Sequence, residues 1–179
     1  MIQKKELDKI MNALMIRHWG IFLIDESYKN ASRYFNVENS IFDHADLKLA
    51  TVIAVAMPYK LKHDEIRPAA HYGKIEPFAW GFDYHIEVKS RLMALVQALE
   101  KVTNENFENV LYCVDNSPFN DREVAFHAGL GRIGMNHLLI NDALGSQCFI
   151  GYIVIPKTLN IDDHCIVHRR DLPMELLHP

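Results

Sequence analysis

With 179 residues, 49% of them apolar, the chain is long enough for one domain whose core needs no disulfide or metal staple. A net charge of −4, with Lys and Arg scattered and no basic run, excludes a nonspecific grip on nucleic acid. Cys113, Cys148 and Cys165 stand far apart without C-x-x-C pairing, which excludes a disulfide framework and a cysteine-ligated cluster. No apolar run approaches the roughly 20 residues of a membrane span, so a cytoplasmic protein with no membrane partner is expected.

In chain order, residues 5–17 place Leu7, Ile10, Met11, Leu14 and Met15 at helical spacing, and Gly20 is read as the end of that helix. Unbroken apolar runs at 21–24 and 49–57, the second stopped by Pro58, read as strands covered on both faces. Residues 60–81 read as a long connection, since Pro68, Gly73 and Pro77 interrupt it, and connections of that length in compact domains usually serve function. A helix over 84–102 follows, with Val88, Leu92, Leu95, Val96 and Leu99 on one face. A strand at 110–114, a helix at 120–128, and strands at 137–140 and 148–155 complete a layered α/β (α+β) domain with a mixed sheet flanked by helices. Residues 1–159 are assigned to this cofactor-type domain and 160–179 to a polar tail.

Three constellations carry chemistry. Asp115, in Val114-Asp115-Asn116-Ser117-Pro118, ends an apolar strand, where open α/β sheets place ligands; alternatively it caps the following turn. The run Ala128-Gly129-Leu130-Gly131-Arg132-Ile133-Gly134 has the G-x-G-x-x-G spacing of a dinucleotide loop, yet a helix runs into it and a strand leaves it, the reverse of the required context. Gly129 reads instead as a helix C′ residue, and Gly131 and Gly134 as a tight turn or a ligand cradle. In Trp80-Gly81-Phe82-Asp83-Tyr84-His85, Asp83 is an N-cap with Glu87 in the first turn, while Tyr84 and His85 face either a cleft or solvent. Ten histidines show no paired zinc spacing, His164 and His168 being the pair that could share a helical face, and no metal site is assigned. No serine has the G-x-S-x-G elbow of a hydrolase. His127 reads as a packed or surface histidine.

Taken together, these blocks resemble the cobalamin-dependent epoxyqueuosine reductases, which finish queuosine in transfer RNA. The likeness runs in order from residue 53 to residue 155. It takes in Ile53-Ala54-Val55-Ala56-Met57-Pro58-Tyr59, then Phe78-Ala79-Trp80-Gly81-Phe82-Asp83-Tyr84-His85, similar to the family's Y-A-x-G-x-D-Y-H. Val114-Asp115-Asn116-Ser117-Pro118 with Arg122 and Ala125 comes next. Ala128-Gly129-Leu130-Gly131-Arg132-Ile133-Gly134-Met135-Asn136 through Leu139-Ile140, similar to A-G-L-G-W-I-G-K-N-x-L-L-I, and Gly145-Ser146 follow.

The resemblance implies a nitroreductase-like fold with the cofactor in a cleft between sheet and loops. Cobalamin is the implied cofactor, with flavin as the alternative. Asp115 would be the proton donor, its pKa raised in a desolvated cleft. Tyr59, Ala79, Gly81, Tyr84, His85, Gly131, Gly134, Asn136, His137, Gly145 and Ser146 would bind the cofactor. Three departures bear on function: Met135 replaces the family lysine, Arg132 its tryptophan, and Pro77-Phe78 an Arg-Tyr pair. Family members continue into two cysteine-rich ferredoxin motifs, whereas Cys165 is the one cysteine in that region here, so no iron–sulfur cluster is expected on this chain.

The resemblance therefore implies a reductase fed by an external ferredoxin or flavoprotein, with tRNA not engaged without added modules. Its alternatives are a cobalamin- or flavin-binding carrier without turnover and a structural remnant kept for interaction. A homodimer is one way to close the face that further modules would cover.

Overall fold

The computed structural model describes residues 1–24, 41, 49–59, 75–79, 81–168 and 172. In chain order these form α1 (Lys4–Ala13), β1 (His18–Ile24), β2 (Ala50–Pro58), a 3₁₀ turn (Pro77–Ala79), α2 (Tyr84–Thr103), β3 (Leu111–Cys113), α3 (Asp121–His127), β4 (Arg132–Ile133), β5 (Leu139–Ile140), β6 (Cys148–Ile155) and a second 3₁₀ turn (Asp163–Cys165). The larger sheet has the order β1-β2-β6-β3 with antiparallel ladders, and β4 and β5 form a separate two-stranded ribbon. Ile166 adds a parallel bridge beside Ile21, and Ile2 pairs the same way with Ile161.

The unbroken apolar runs have a direct cause in this layering. Residues 50–57 of β2 are all buried, because one face meets α1 and α2 and the other meets α3. On the first face Ile53, Val55 and Ile153 pack with Leu7, Met11, Leu92 and Leu95; on the second Val52, Ala54 and Val154 pack with Val124 and Ala125. Each fully buried aliphatic side chain contributes about 1.5–3 kcal/mol. The expected stripe of α2 (Val88, Leu92, Leu95, Val96, Leu99) is its buried face.

Two glycines let the layers close. A Cβ on Gly151 would run into Val88 of α2, and one on Gly20 would overlap the carbonyl oxygen of Ala128 at the end of α3. Gly20 therefore does not end the first helix, as the sequence suggests, but lies inside β1. The helix stops earlier, at a left-handed Met15 (φ 56°), with Met15 N bonded to Asn12 O at 3.0 Å and Ile16 N to Met11 O at 2.8 Å. That bond pair is a Schellman motif, which favours glycine at the left-handed position. Met15 is largely exposed and loses little packing on replacement, so Met15→Gly is expected to stabilise the fold by roughly 0.5–1 kcal/mol. A rise in the urea midpoint at constant m-value would show it.

The same motif, now with a glycine, ends α3. Gly129 (φ 70°) bonds through N to Phe126 O at 2.9 Å and Leu130 N bonds to Ala125 O at 3.0 Å, so Gly129 is the C′ residue the sequence suggests. Asn120 caps the other end, its Oδ1 accepting from Glu123 N. Part of the segment read as a tail packs on the core: Ile161 and Cys165 are buried, and Val167 N donates to Ile21 O at 2.7 Å. Among the described residues no helix is long and apolar enough to cross a membrane.

Candidate active site

Asp115 follows β3 at a backbone turn that exposes its carboxyl. Asn116 N bonds back to Val114 O at 2.6 Å around Asp115, whose φ of 55° is rare for a residue with a side chain. Such three-residue turns with a positive central φ are strained and persist where surrounding structure enforces them. The carboxyl does not cap the following turn. Its Oδ2 accepts the phenol hydrogen of Tyr84 and lies 3.6 Å from His85 Nε2.

Helix α2 supplies both partners from its first turn. Asp83 is the N-cap, its Oδ1 accepting from His85 N at 2.9 Å, and the same oxygen lies 2.7 Å from His85 Nδ1. That contact fixes the imidazole with Nε2 toward Asp115 and holds the Asp83 carboxyl below the usual aspartate range. Burial, and then the bond to Asp115, raises the Tyr84 phenol well above the ordinary tyrosine range, so Tyr84 stays a neutral donor.

An aromatic wall adjoins these polar groups. The rings of Tyr84 and Phe149 stack at 4.0 Å with an interplanar angle of 1°, Tyr59 lies 4.7 Å from Phe149, and the half-exposed Phe78 meets Tyr59 edge-on at 6.4 Å. Offset stacks and edge contacts of this kind stabilise by about 0.5–1.5 kcal/mol per pair. This aromatic group stands beside one carboxyl, one phenol and one imidazole, and the His85 ring also stacks on Tyr84 at 4.1 Å.

Of the site residues suggested by the sequence, Tyr59, Tyr84, His85 and Asp115 thus belong to one connected group. Ala79 is exposed in the first 3₁₀ turn and Gly81 (φ 89°) is exposed just before α2; Trp80 and the loop at 60–74 lie outside the described residues. Gly131, Gly134, Asn136, His137, Gly145 and Ser146 sit on the β4–β5 ribbon and the loop after it. That unit is held to α3 by Arg122, whose guanidinium donates to His137 O at 2.8 Å, and to the turn after α3 by Asn141, whose amide donates to Leu130 O at 2.6 Å. The missing side chain of Gly131 is required by the turn itself, since a Cβ there would strike the Ile140 backbone, whereas one on Gly134 would meet side-chain ends of Ile140 and Asn136. Around Gly145 (φ 63°), by contrast, a Cβ would meet nothing within 4 Å.

One expectation fails on geometry. The Asp115 side chain is 51% exposed, so it does not occupy the desolvated cleft expected for it. His127 is fully buried, packed between the rings of Phe22 and Phe126. His164 and His168 pair with Asp162 and Asp163, and among the described residues no three His, Cys, Asp or Glu side chains group as metal ligands.

Two features escaped sequence reasoning. Phe149 completes the wall, yet one aromatic in an apolar strand carries no functional signal. Behind the Asp115 loop, Ser117 Oγ contacts the hydroxyl of Tyr152, whose hydrogen goes to Asp121 Oδ1 at 2.8 Å. The signal for this network was Tyr152 itself, a phenol in the buried half of β6 that must find a partner.

Comparison with known proteins agrees with this architecture. The family described as epoxyqueuosine reductase QueG, DUF1730, matches residues 47–116, which run from the start of β2 through Tyr84 and His85 to Asp115. An epoxyqueuosine reductase from Synechocystis sp. is 39% identical over 119 residues, 64% of this chain and 40% of the relative. The solved epoxyqueuosine reductase from Streptococcus thermophilus superposes with a TM-score of 0.63 at 29% identity, over 89% of this chain and 47% of that one. Over these residues the chain is similar to the epoxyqueuosine reductases. It spans about half the length, or less, of the relatives it matches. A further solved family member, captured with an epoxyqueuosine-modified tRNA stem loop, has the same fold (TM-score 0.60, 21% identity, 89% of this chain and 48% of that one).

Proposed function

We propose that this domain is the reductive site of an epoxyqueuosine reductase, with Asp115 as the proton donor. The carrying observation is the Asp115 carboxyl presented at a strained turn, with the Tyr84 phenol on Oδ2 and the His85 imidazole beside it. Removing an epoxide oxygen as water takes two electrons and two protons and leaves a carbon–carbon double bond. Asp115 delivers a proton to the epoxide oxygen as its carbon–oxygen bond breaks, so that charge does not accumulate there. Tyr84 orients the carboxyl. His85, fixed by Asp83, stands where it can return a proton to Asp115 for the second transfer.

Cobalamin is the proposed cofactor, and in its reduced form it supplies the electrons. The residues present fit a large ring system: Tyr59, Tyr84, Phe149 and the half-exposed Phe78 form an aromatic wall, and no side chain crowds the approach to Gly145. Asn136, His137 and Ser146 are proposed to line the same rim. With the half-exposed Asp115 at its edge, a bound ring and substrate would together exclude water from the carboxyl. The electrons enter from a ferredoxin or flavoprotein. The proposed substrate is the epoxide-bearing nucleoside of a tRNA stem loop, the ligand of the solved relative, although the sequence alone suggested that tRNA would not be engaged without added modules.

The test is the absorption spectrum of the protein after incubation with cobalamin and, separately, with flavin, followed by removal of free ligand. Cobalamin is expected to stay bound at micromolar concentration. Retention of flavin in its place would overturn the cofactor assignment, and retention of neither would overturn the site.

A further inference from the structure

The loop between β3 and α3 is strained and exposed at Asp115, so something must hold it. The network behind it has the right members. Ser117 Oγ accepts from Phe119 N at 2.9 Å, closing the loop locally. Tyr152, fully buried in β6, gives its hydroxyl hydrogen to Asp121 at the start of α3. With that hydrogen directed to Asp121, the Tyr152 oxygen is left to accept from Ser117, whose hydroxyl also lies 3.3 Å from Phe119 O. One phenol in the sheet thus ties the middle of the loop to the helix into which the loop runs. The polar groups are shielded: burial drives the Asp121 carboxyl up from its ordinary range, and the Cys113 thiol beside the same hydroxyls is pushed up for the same reason. In such a setting each missing hydrogen bond leaves an unsatisfied group.

We propose that Tyr152 is a positioning residue, whose hydroxyl, through Ser117 and Asp121, holds the Asp115 loop so that the carboxyl stays against Tyr84 and His85. This rests on the reading of Asp115 as the proton donor. Tyr152 touches no substrate, and its effect reaches the chemistry only through the loop.

The experiment compares wild type with Tyr152→Phe by hydrogen–deuterium exchange and by steady-state kinetics on epoxyqueuosine-containing tRNA with cobalamin and a reduced ferredoxin. Amides over residues 114–119 are expected to exchange at least about tenfold faster in the variant, with β2 and α2 unchanged. The value of kcat is expected to fall about 10- to 100-fold with KM retained, since a small misplacement of a reacting group costs that much. Ser117→Ala, which leaves the Tyr152–Asp121 bond in place, serves if Tyr152→Phe does not fold, with the same expected signature. Unchanged exchange over 114–119, or faster exchange with unchanged kcat, would overturn the role. A wild-type protein without turnover would instead count against the reductase reading, and the exchange result would then decide the loop restraint alone.

Discussion

Asp115→Asn is expected to lower the rate of epoxide reduction by about 10²- to 10⁴-fold, the usual contribution of a positioned general acid. The substitution is conservative in shape. Asn keeps an oxygen to accept the Tyr84 hydroxyl and keeps the small polar side chain that tolerates a positive φ at this turn, so the loop and the aromatic wall should persist. What it cannot do is release a proton. Retention of cobalamin should therefore match wild type while single-turnover reduction collapses, and that combination separates a lost acid from a lost binding site. Turnover within a few-fold of wild type would remove Asp115 from the reaction and leave the Tyr84–His85 pair without its proposed purpose.

The second large effect concerns stability. Gly20→Ala is expected to destabilise the fold by about 3 kcal/mol or more, at the upper end of overpacking penalties, and to lower Tm by roughly 6–12 °C for a chain of this size. The reason is the obstacle: the new Cβ would meet backbone, the Ala128 carbonyl at the end of α3, and not a side chain that could swing aside. Relief requires β1 and α3 to move apart, which would open the core between Phe22, Val124 and Ala128. Gly145→Ala is the informative control, because its Cβ enters open space and only the left-handed backbone (φ 63°) resists, at about 1–2 kcal/mol. Equal midpoints for the two variants in a urea titration would show that the β1–α3 approach is not the tight contact it is here.

Much of the framework follows from residue order alone. The apolar run of β6 matches its strand, the stripe of α2 matches its buried face, and Asp83 caps α2 as its type and place demand. Gly129 terminates α3 for a local reason, the left-handed conformation that a Schellman end requires. These features rest on spacing and intrinsic backbone preference, which the sequence carries in full. The family blocks also point to Asp115, Tyr84 and His85 as neighbours in function.

What only the tertiary structure decided rests on distance through space. Gly20 looks like a helix stop until Ala128, more than a hundred positions later, is placed against it. Gly131 looks like part of a ligand cradle until the Ile140 backbone is seen to fill the space its side chain would take. Asp115 taken alone reads as a turn cap or as an acid at a strand end until Tyr84, 31 residues earlier, is brought onto its carboxyl. Tyr152 signals that a partner is needed, but no local window names Ser117 and Asp121, since the network joins a loop, a central strand and a helix start. In each case pattern gives the backbone's own preference, whereas the partner of a polar or missing side chain is fixed by which segments the core brings together.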